Sequence, residues 1–280
     1  MILTGTGTVQ SEFLPPLVDA VSGTISACFS LRKLRAAYSG SAIRVRRSSD
    51  NTQSDIGFDS FGDLDTSALT SFVGAGNGRI TVWYDQSGNG RNLQNAVTTT
   101  QPVIVDSGSI LTYNNRPTIS FNNYGLVGTS QWFAAGDLYA SCVLKSNAIS
   151  TSRGLLSSRN TGFDNSPAMT LANGNAPSIA SSFGGCGAFS DANQMIFSAQ
   201  LDAAVSSYLW KNSVLQSGPC ANGTYTNLGT NTVMGAPRFG EAYNLNAYVF
   251  ELCVWSTLQA DNTQSTIIEA NQAKYYSVQF

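Results

Sequence analysis

The amino-acid sequence predicts an all-β protein: a two-sheet sandwich of the jelly-roll type with one short helix at the C-terminus. Short runs of alternating or continuous apolar residues recur along the 280 residues, and turn-forming pairs such as Asn-Gly separate them. Charged residues make up only 11% of the chain, whereas serine, threonine, asparagine and glycine are abundant. This composition favours strands and tight turns.

The N-terminus is predicted to be an extended arm over residues 1–24, followed by a single sandwich domain over residues 25–280. Pro15 and Pro16 exclude a helix that runs through the arm, because proline lacks a backbone N–H and clashes with the preceding turn. Such an arm either packs on its own domain or reaches a neighbouring subunit. The residues alone are compatible with both.

The clearest strand prediction is Ile43–Arg47, whose alternation places Ile43 and Val45 inward and the arginines outward. Residues 27–38 suit either a strand or a helix, and a short helix is expected within residues 59–72. Further strands are predicted at residues 79–84, 117–121, 138–144, 154–158, 195–201, 206–210, 232–235 and 247–255.

The second half of the chain contains a predicted hairpin and the closing helix. The hairpin spans residues 208–215 and turns at residues 211–213. The helix begins at Asp261 or Asn262, either of which can cap it, and extends to about Lys274.

The absence of histidine excludes several kinds of active site. Without it the chain cannot form a Ser-His-Asp or Cys-His catalytic group, or a histidine-ligated zinc site. Its five cysteines are far apart and include no C-x-x-C pair, so neither a closed zinc site nor a dense disulfide framework is expected. A single disulfide between Cys186 and Cys220 is compatible with the sequence.

Charge and hydropathy exclude two classes of partner. A formal net charge of −2 disfavours binding to nucleic acid or to anionic membranes. No apolar stretch approaches the length of a membrane span, and the first residues lack the charged and apolar regions of a secretory signal. We therefore expect no nucleic-acid partner and no membrane association.

A polar loop after the strand predicted at residues 79–84 is the densest motif. It reads Asp85-Gln-Ser-Gly-Asn89-Gly-Arg, which places the Asp85 carboxylate to accept hydrogen bonds from backbone N–H groups of the turn. We predict that Asp85 and Asn89 organise this loop. A calcium ion or a sugar at Asp85 is the alternative, and no other cofactor is expected.

Six cationic side chains lie within sixteen positions: Arg32, Lys33, Arg35, Arg44, Arg46 and Arg47. They could form a patch that binds phosphate or an anionic glycan. The other interpretation is a solvated strand face with ion pairs to Asp50, Asp55 or Asp59. The alternation favours this second interpretation, because the arginines point away from Ile43 and Val45.

The segments Tyr38-Ser-Gly, Val45-Arg-Arg-Ser-Ser-Asp, Asp55-Ile-Gly and Trp83-Tyr-Asp-Gln-Ser-Gly-Asn-Gly carry a family resemblance. They resemble the N-terminal half of the catalytic domain of fungal-type α-L-arabinofuranosidases. The resemblance implies a concanavalin/laminin-G-like β-sandwich. The last predicted strand and the closing helix are similar to the end of laminin-G-like domains, in the version found in bacteriophage structural proteins.

The catalytic residues of that family are not matched. The family places a nucleophilic glutamate in a central strand and an acid/base aspartate in a late Gly-Asp-Asn loop. Here the central stretch contains Asp164 and Asp191 but no glutamate, and the late loop contains Glu241 without the aspartate. A retaining glycosidase needs two carboxyl groups about 5 Å apart. The sequence therefore predicts a non-enzymatic protein with no catalytic residue.

The function predicted on these grounds is that of a phage virion surface protein, such as a capsid decoration, fibre or tail-associated protein. It would assemble as a homo-oligomer, with residues 1–24 contacting other virion subunits. Trp132, Tyr124 and Tyr243, in polar, asparagine-rich surroundings, are the candidates for binding a host-surface glycan. The alternatives are an arabinofuranosidase-like glycoside hydrolase and a free bacterial carbohydrate-binding protein.

Overall fold

The computed structural model describes residues 14–122, 124–128, 130, 138–147, 153–159, 168–172, 176–181, 184–186, 193–201, 206–221, 231–235, 245–256 and 263–279. In this part of the chain nearly all regular structure is antiparallel β-strand, with two α-helices and one 3₁₀ helix. The predicted all-β class with a short C-terminal helix is confirmed.

The strands, in chain order, are β1 (Ile25–Ser30), β2 (Ile43–Arg47), β3 (Gln53–Ile56), β4 (Gly78–Trp83), β5 (Leu93–Gln94), β6 (Val103–Asp106), β7 (Ser109–Ile110), β8 (Thr112–Tyr113), β9 (Arg116–Pro117), β10 (Ile119–Ser120), β11 (Leu126–Gly128), β12 (Leu138–Ser146), β13 (Arg153–Arg159), β14 (Ala168–Ala172), β15 (Ala176–Ser181), β16 (Gly184–Cys186), β17 (Gln194–Leu201), β18 (Ser206–Lys211), β19 (Val214–Ala221), β20 (Asn231–Met234) and β21 (Ala247–Trp255). The helices are the 3₁₀ helix Leu17–Ala20, α1 (Thr66–Val73) and α2 (Thr263–Tyr276). Each strand predicted from the sequence is present, although residues 117–121 contribute to two short strands. Residues 27–38 begin within β1 and form no helix.

The strands form two layers. β21 is central in the first layer, because it pairs with β12 along one edge and with β1 and β10 along the other. From β12 this layer continues through β17, β18 and β19. The second layer contains β3, β2 and β4, and continues from β4 through β5, β11, β20, β13, β14, β15 and β16. Pairing of Ser120 with Val103 connects β10 to β6, which lies beside β4.

The apolar core covers both faces of β21. On the inner face the rings of Phe29 and Trp83 are 5.7 Å apart, within one continuous cluster of buried residues. On the other face Trp255 packs with Leu17 of the 3₁₀ helix and Ile268 of α2. Burial on both faces explains why β21 is an almost continuous apolar run.

The N-terminal segment packs against α2. Leu17 is fully buried, and Asn271 donates a hydrogen bond from Nδ2 to the Pro15 carbonyl at 2.9 Å. The described part of the predicted arm, residues 14–24, therefore lies on its own domain, which is one of the two placements that the sequence allowed. Residues 1–13 lie outside the described residues, and their docking on another subunit stays a prediction.

The hairpin and the helices follow local sequence signals. Asn212 and Ser213 have φ angles of 47° and 65°, as a two-residue turn between β18 and β19 requires, so the predicted hairpin is confirmed. In α1 the cap is Asp65, whose Oδ1 accepts a hydrogen bond from the N–H of Ala68 at 2.8 Å. The caps predicted for α2, Asp261 and Asn262, lie outside the described residues. Neither α-helix in the described ranges has the length and apolar character that crossing a bilayer requires.

Three cysteines belong to the core. Cys28, Cys142 and Cys253 are buried free thiols, and burial raises the pKa of each one. A thiol of this kind is a weak nucleophile and behaves as a small apolar side chain. The side chains of Cys186 and Cys220 lie outside the described residues.

Candidate functional site

The Asp85 carboxylate lies at the centre of the loop that follows β4. Its Oδ1 accepts hydrogen bonds from the N–H groups of Cys28 and Ser87 at 3.0 and 2.9 Å. Its Oδ2 accepts from the Ser87 hydroxyl at 2.7 Å and from the N–H of Arg91 at 3.0 Å. These contacts close the loop on itself and attach it to β1.

Asn89 makes a second attachment to the same strand. Its Nδ2 donates to the carbonyls of Ile25 and Ser26 at 2.9 and 3.0 Å.

The Asp85 carboxylate is also the candidate calcium ligand. Each of its oxygens accepts two hydrogen bonds from the protein. Within the described ranges, no cluster of three or more histidine, cysteine, aspartate or glutamate side chains is placed to hold a metal ion. Calcium near Asp85 stays a prediction.

A groove on the outer face of the second layer is the candidate ligand site. Its volume is about 550 Å³, which falls within the range of about 300–1,000 Å³ typical of small-molecule sites. Its lining residues come from β2, β3, β4, β5, β11 and the loop after β5: Arg44, Arg46, Gln53, Thr81, Val82, Gln94, Asn95, Ala96, Val97, Thr98, Gln101 and Val127. Eight of the twelve lining residues carry an amide, hydroxyl or guanidinium group, four are apolar, and none carries a carboxylate.

At one side of this groove Arg44 is neutralised by an acidic residue. Its Nε and Nη2 donate to Oδ1 and Oδ2 of Asp55, both at 2.7 Å, and the hydroxyl of Tyr84 donates to Oδ1 at 2.7 Å. The hydrogen bonds from Arg44 hold the pKa of Asp55 below its usual 3.8. Burial and the contact with Asp55 raise the pKa of Tyr84 to about 12.

Arg46 is held by neutral groups only. Its Nε donates to Oε1 of Gln101 at 2.7 Å, its Nη1 to Oδ1 of Asn51 at 2.7 Å, and its Nη2 to the carbonyl of Thr98 at 3.1 Å. Only 6% of the residue is exposed. Directly across the strand pair lies Arg79, and burial lowers the pKa of Arg46, which Arg79 lowers further.

The predicted ion pairs of the basic cluster are confirmed in part. Arg44 pairs with Asp55 and Arg47 with Asp50. The prediction of a solvated, paired side chain is wrong for Arg46, because the loop after β5 covers it and supplies neutral acceptors. Local alternation gives the direction of a side chain but not the loop that covers it.

A buried ion pair between Arg32 and Glu251 was not predicted. Nε and Nη2 of Arg32 donate to Oε2 and Oε1 of Glu251 at 2.7 and 3.0 Å. The hydroxyls of Ser30 and Tyr276 donate to Oε2 at 3.0 and 3.1 Å, and Nε2 of Gln272 donates to Oε1 at 3.1 Å. Glu251 is the only acidic residue of the otherwise apolar strand β21. An acid in such a strand is the sequence feature that indicates a buried, paired carboxylate.

The structure places one of the three predicted glycan-binding aromatics. Tyr124 is partly exposed, and its ring centroid is 5.3 Å from the guanidinium carbon of Arg79. The carbonyl of the next residue, Gly125, accepts a hydrogen bond from Asn95, which lines the groove. Tyr124 therefore lies beside the groove. Trp132 and Tyr243 lie outside the described residues.

Known proteins similar to this chain include arabinofuranosidases. A sequence model of the catalytic domain of α-L-arabinofuranosidase B matches residues 18–116. A structure of a GH54 α-L-arabinofuranosidase soaked with a cyclic sulfate inhibitor is similar at a TM-score of 0.71 and 17% identity. A structure of an arabinofuranosidase complexed with arabinofuranosyl-α-1,2-xylobiose is similar at a TM-score of 0.69 and 16% identity. No curated protein matches the chain in sequence.

The two structural similarities identify the fold of this chain. Each covers 92% of this chain and 64% of the arabinofuranosidase chain, so this chain spans less than two thirds of the length of those arabinofuranosidases. The chain has the β-sandwich fold of arabinofuranosidase catalytic domains, and residues 18–116 resemble that catalytic domain in sequence.

The prediction of a non-enzymatic protein is contradicted by this family match, which points to a glycoside hydrolase. The prediction relied on carboxylates being absent from the family's positions along the sequence. Glycoside hydrolysis instead requires two carboxyl groups close together in space, and different loops can supply them. The bacteriophage context of the resemblance stays a prediction.

Proposed function

We propose that this chain is a glycoside hydrolase domain that cleaves α-L-arabinofuranosides. The observation that carries the proposal is the match of residues 18–116 to an arabinofuranosidase catalytic domain, on a fold that is similar over 92% of the chain. The similar structures include a Glu→Gln mutant of a GH54 α-L-arabinofuranosidase soaked with 4-nitrophenyl α-L-arabinofuranoside, which supports this class of substrate.

The described acids narrow the choice of catalytic carboxyls. Glu251 is buried in the ion pair with Arg32, and Glu269, 2% exposed, accepts hydrogen bonds from Tyr139 and Ser213 at 3.2 and 2.7 Å. Neither can reach a polysaccharide. Among the other described acids, Asp85 is enclosed by its own loop and Asp55, Asp50 and Asp63 pair with arginines. Asp19, Asp59 and Asp65 accept hydrogen bonds from backbone N–H groups.

Seven of the seventeen acidic residues lie outside the described residues: Glu12, Asp137, Asp164, Asp191, Asp202, Glu241 and Asp261. Hydrolysis with retention would use two of them, one as nucleophile and one as acid/base. Glu241 is the first candidate, because the other glutamates are Glu12, near the N-terminus, and the two buried ones.

The test measures release of 4-nitrophenol from 4-nitrophenyl α-L-arabinofuranoside. Each of the seven acids is changed to its amide, beginning with Glu241→Gln. We expect two of the variants to lose about 10²–10⁴-fold or more in kcat, since a positioned acid or base contributes at least that much. Asp106→Asn is the matched control, because Asp106 is described, exposed and outside the groove.

Two results would contradict the proposal. One is a wild-type chain that releases no 4-nitrophenol above the background rate. The other is a wild-type activity that all seven amide variants retain in full, since the hydrolysis would then not depend on these carboxyl groups.

A further inference from the structure

Arg46 lines the groove on the outer face of the second layer, and no acidic side chain of the described residues pairs with it. Arg46 and Arg79 lie directly opposite each other on β2 and β4. The ion pairs of the described residues involve Arg32, Arg44, Arg47 and Arg116, and neither Arg46 nor Arg79. Like charges in this cross-strand position repel each other, so their pairing is unfavourable unless something offsets it.

The two guanidinium groups share one polar residue. Arg46 donates from Nε to Oε1 of Gln101, and Arg79 donates from Nη1 to the Gln101 carbonyl at 3.3 Å. A guanidinium has five N–H donors, of which Arg46 uses three and Arg79 uses one. Donors therefore remain on both side chains for an acceptor that the protein does not provide.

The chemistry around this pair suits a carbohydrate. Gln53 and Gln94 are exposed, line the groove and offer amide groups of the kind that bind sugar hydroxyls. Tyr124 stacks near Arg79 and supplies an aromatic ring beside the groove, where the C–H face of a sugar ring can pack.

We infer that this groove binds a glycan through a sugar unit that carries a carboxylate, with Arg46 in the lining and Arg79 beside it as the binding pair. A planar carboxylate accepts two parallel N–H bonds from a guanidinium, a geometry that lysine does not offer. The ligand carboxylate takes the place of the missing acidic residue and offsets the repulsion between the two arginines. The inferred site requires no hydrolysis and so stands apart from the proposed arabinofuranosidase activity.

The experiment is a calorimetric titration of the full chain at low ionic strength with an α-1,4-linked galacturonate trimer. The neutral galactose trimer of the same linkage is the second probe, and inorganic sulfate is the third. We expect the galacturonate trimer to bind at least about 10-fold more tightly than the neutral trimer, a difference of about 1.4 kcal/mol. Sulfate is expected to bind more weakly than the galacturonate trimer, because it lacks the sugar contacts.

Variants test whether the two arginines bind the ligand. Arg79→Gln is the first variant, because this side chain is partly exposed and makes one hydrogen bond, so the fold tolerates its loss. It should weaken galacturonate binding at least about 10-fold, as should Arg46→Gln. Arg47→Gln is the control: it removes the same charge from β2, but from an arginine already paired with Asp50. Its affinity should match that of the wild type.

Three outcomes would overturn the inference: equal binding of the neutral and acidic trimers, wild-type affinity in Arg79→Gln, or sulfate binding as tightly as the galacturonate trimer. Because neither trimer contains arabinofuranose and turnover is not measured, failure here leaves the proposed hydrolase function untouched. Failure of the 4-nitrophenol assay likewise leaves the inferred glycan site unaffected.

Discussion

Arg32 and Arg46 are both buried guanidinium groups, but one contacts a carboxylate and the other contacts only neutral acceptors. They are 4% and 6% exposed, respectively. Arg32 meets the carboxylate of Glu251 with two hydrogen bonds, whereas Arg46 meets two side-chain amides and a carbonyl. A buried charge is costly unless an opposite charge neutralises it. The comparison therefore separates a structural arginine, whose partner is internal, from one whose partner has to come from outside.

The Arg32 pair also attaches α2 to the sandwich. The guanidinium carbon of Arg32 lies 4.4 and 5.5 Å from the ring centroids of Tyr275 and Tyr276, both at the end of α2. Gln272, one turn earlier, donates to Glu251. The first layer is thereby closed on its outer face by polar contacts as well as apolar packing. On the second layer Arg46 is covered by the loop after β5, which supplies neutral acceptors and no carboxylate.

The largest effect is expected when the internal pair is broken. Glu251→Leu leaves the Arg32 guanidinium buried without a counter-charge, which should lower the free energy of unfolding by about 3–5 kcal/mol. Chemical denaturation measures this loss. The double variant Arg32→Met, Glu251→Leu should regain most of it, since two apolar side chains need no neutralisation. A double variant less stable than the single one would show that charge is not what this pair contributes.

A smaller effect is expected at Arg46. Arg46→Met removes three hydrogen bonds to neutral acceptors but also relieves the repulsion from Arg79, so a loss of about 1–2 kcal/mol is expected from the same denaturation measurement. A loss of unfolding free energy as large as that of Glu251→Leu would show that Arg46, like Arg32, mainly stabilises the fold.

The smallest effect is expected at the exposed pair of Arg44 and Asp55. Asp55→Asn should lower the free energy of unfolding at pH 7 by less than about 1 kcal/mol, because solvent screens this pair. The pKa of Asp55 in the folded protein is held below its usual 3.8. Its contribution to the free energy of unfolding is therefore present above pH 3.8 and is lost as the pH falls through the lowered pKa. Unfolding curves of wild type and variant should therefore converge on acidification. Divergence towards low pH would contradict this assignment.

Local sequence features predicted much of the fold and part of the site. The alternation in Ile43–Arg47 gave the strand and its inward residues, and the spacing after Trp83 anticipated the hydrogen bonds of Asp85, whose partner Ser87 is two positions away. The pairing of Arg32 with Glu251 joins positions 219 residues apart, and no local pattern contains it. The burial of Arg46 depends on a polar loop some fifty residues further along the chain, where Gln101 and Thr98 lie.

By itself, the sequence determined where the strands and turns form, because side-chain periodicity and turn residues act over a few positions. It also determined that no histidine chemistry is available. Only the tertiary structure decided which buried arginine has an internal counter-ion and which does not. Neutralisation of a charge depends on distances of a few ångströms between residues that the chain brings together only when it folds.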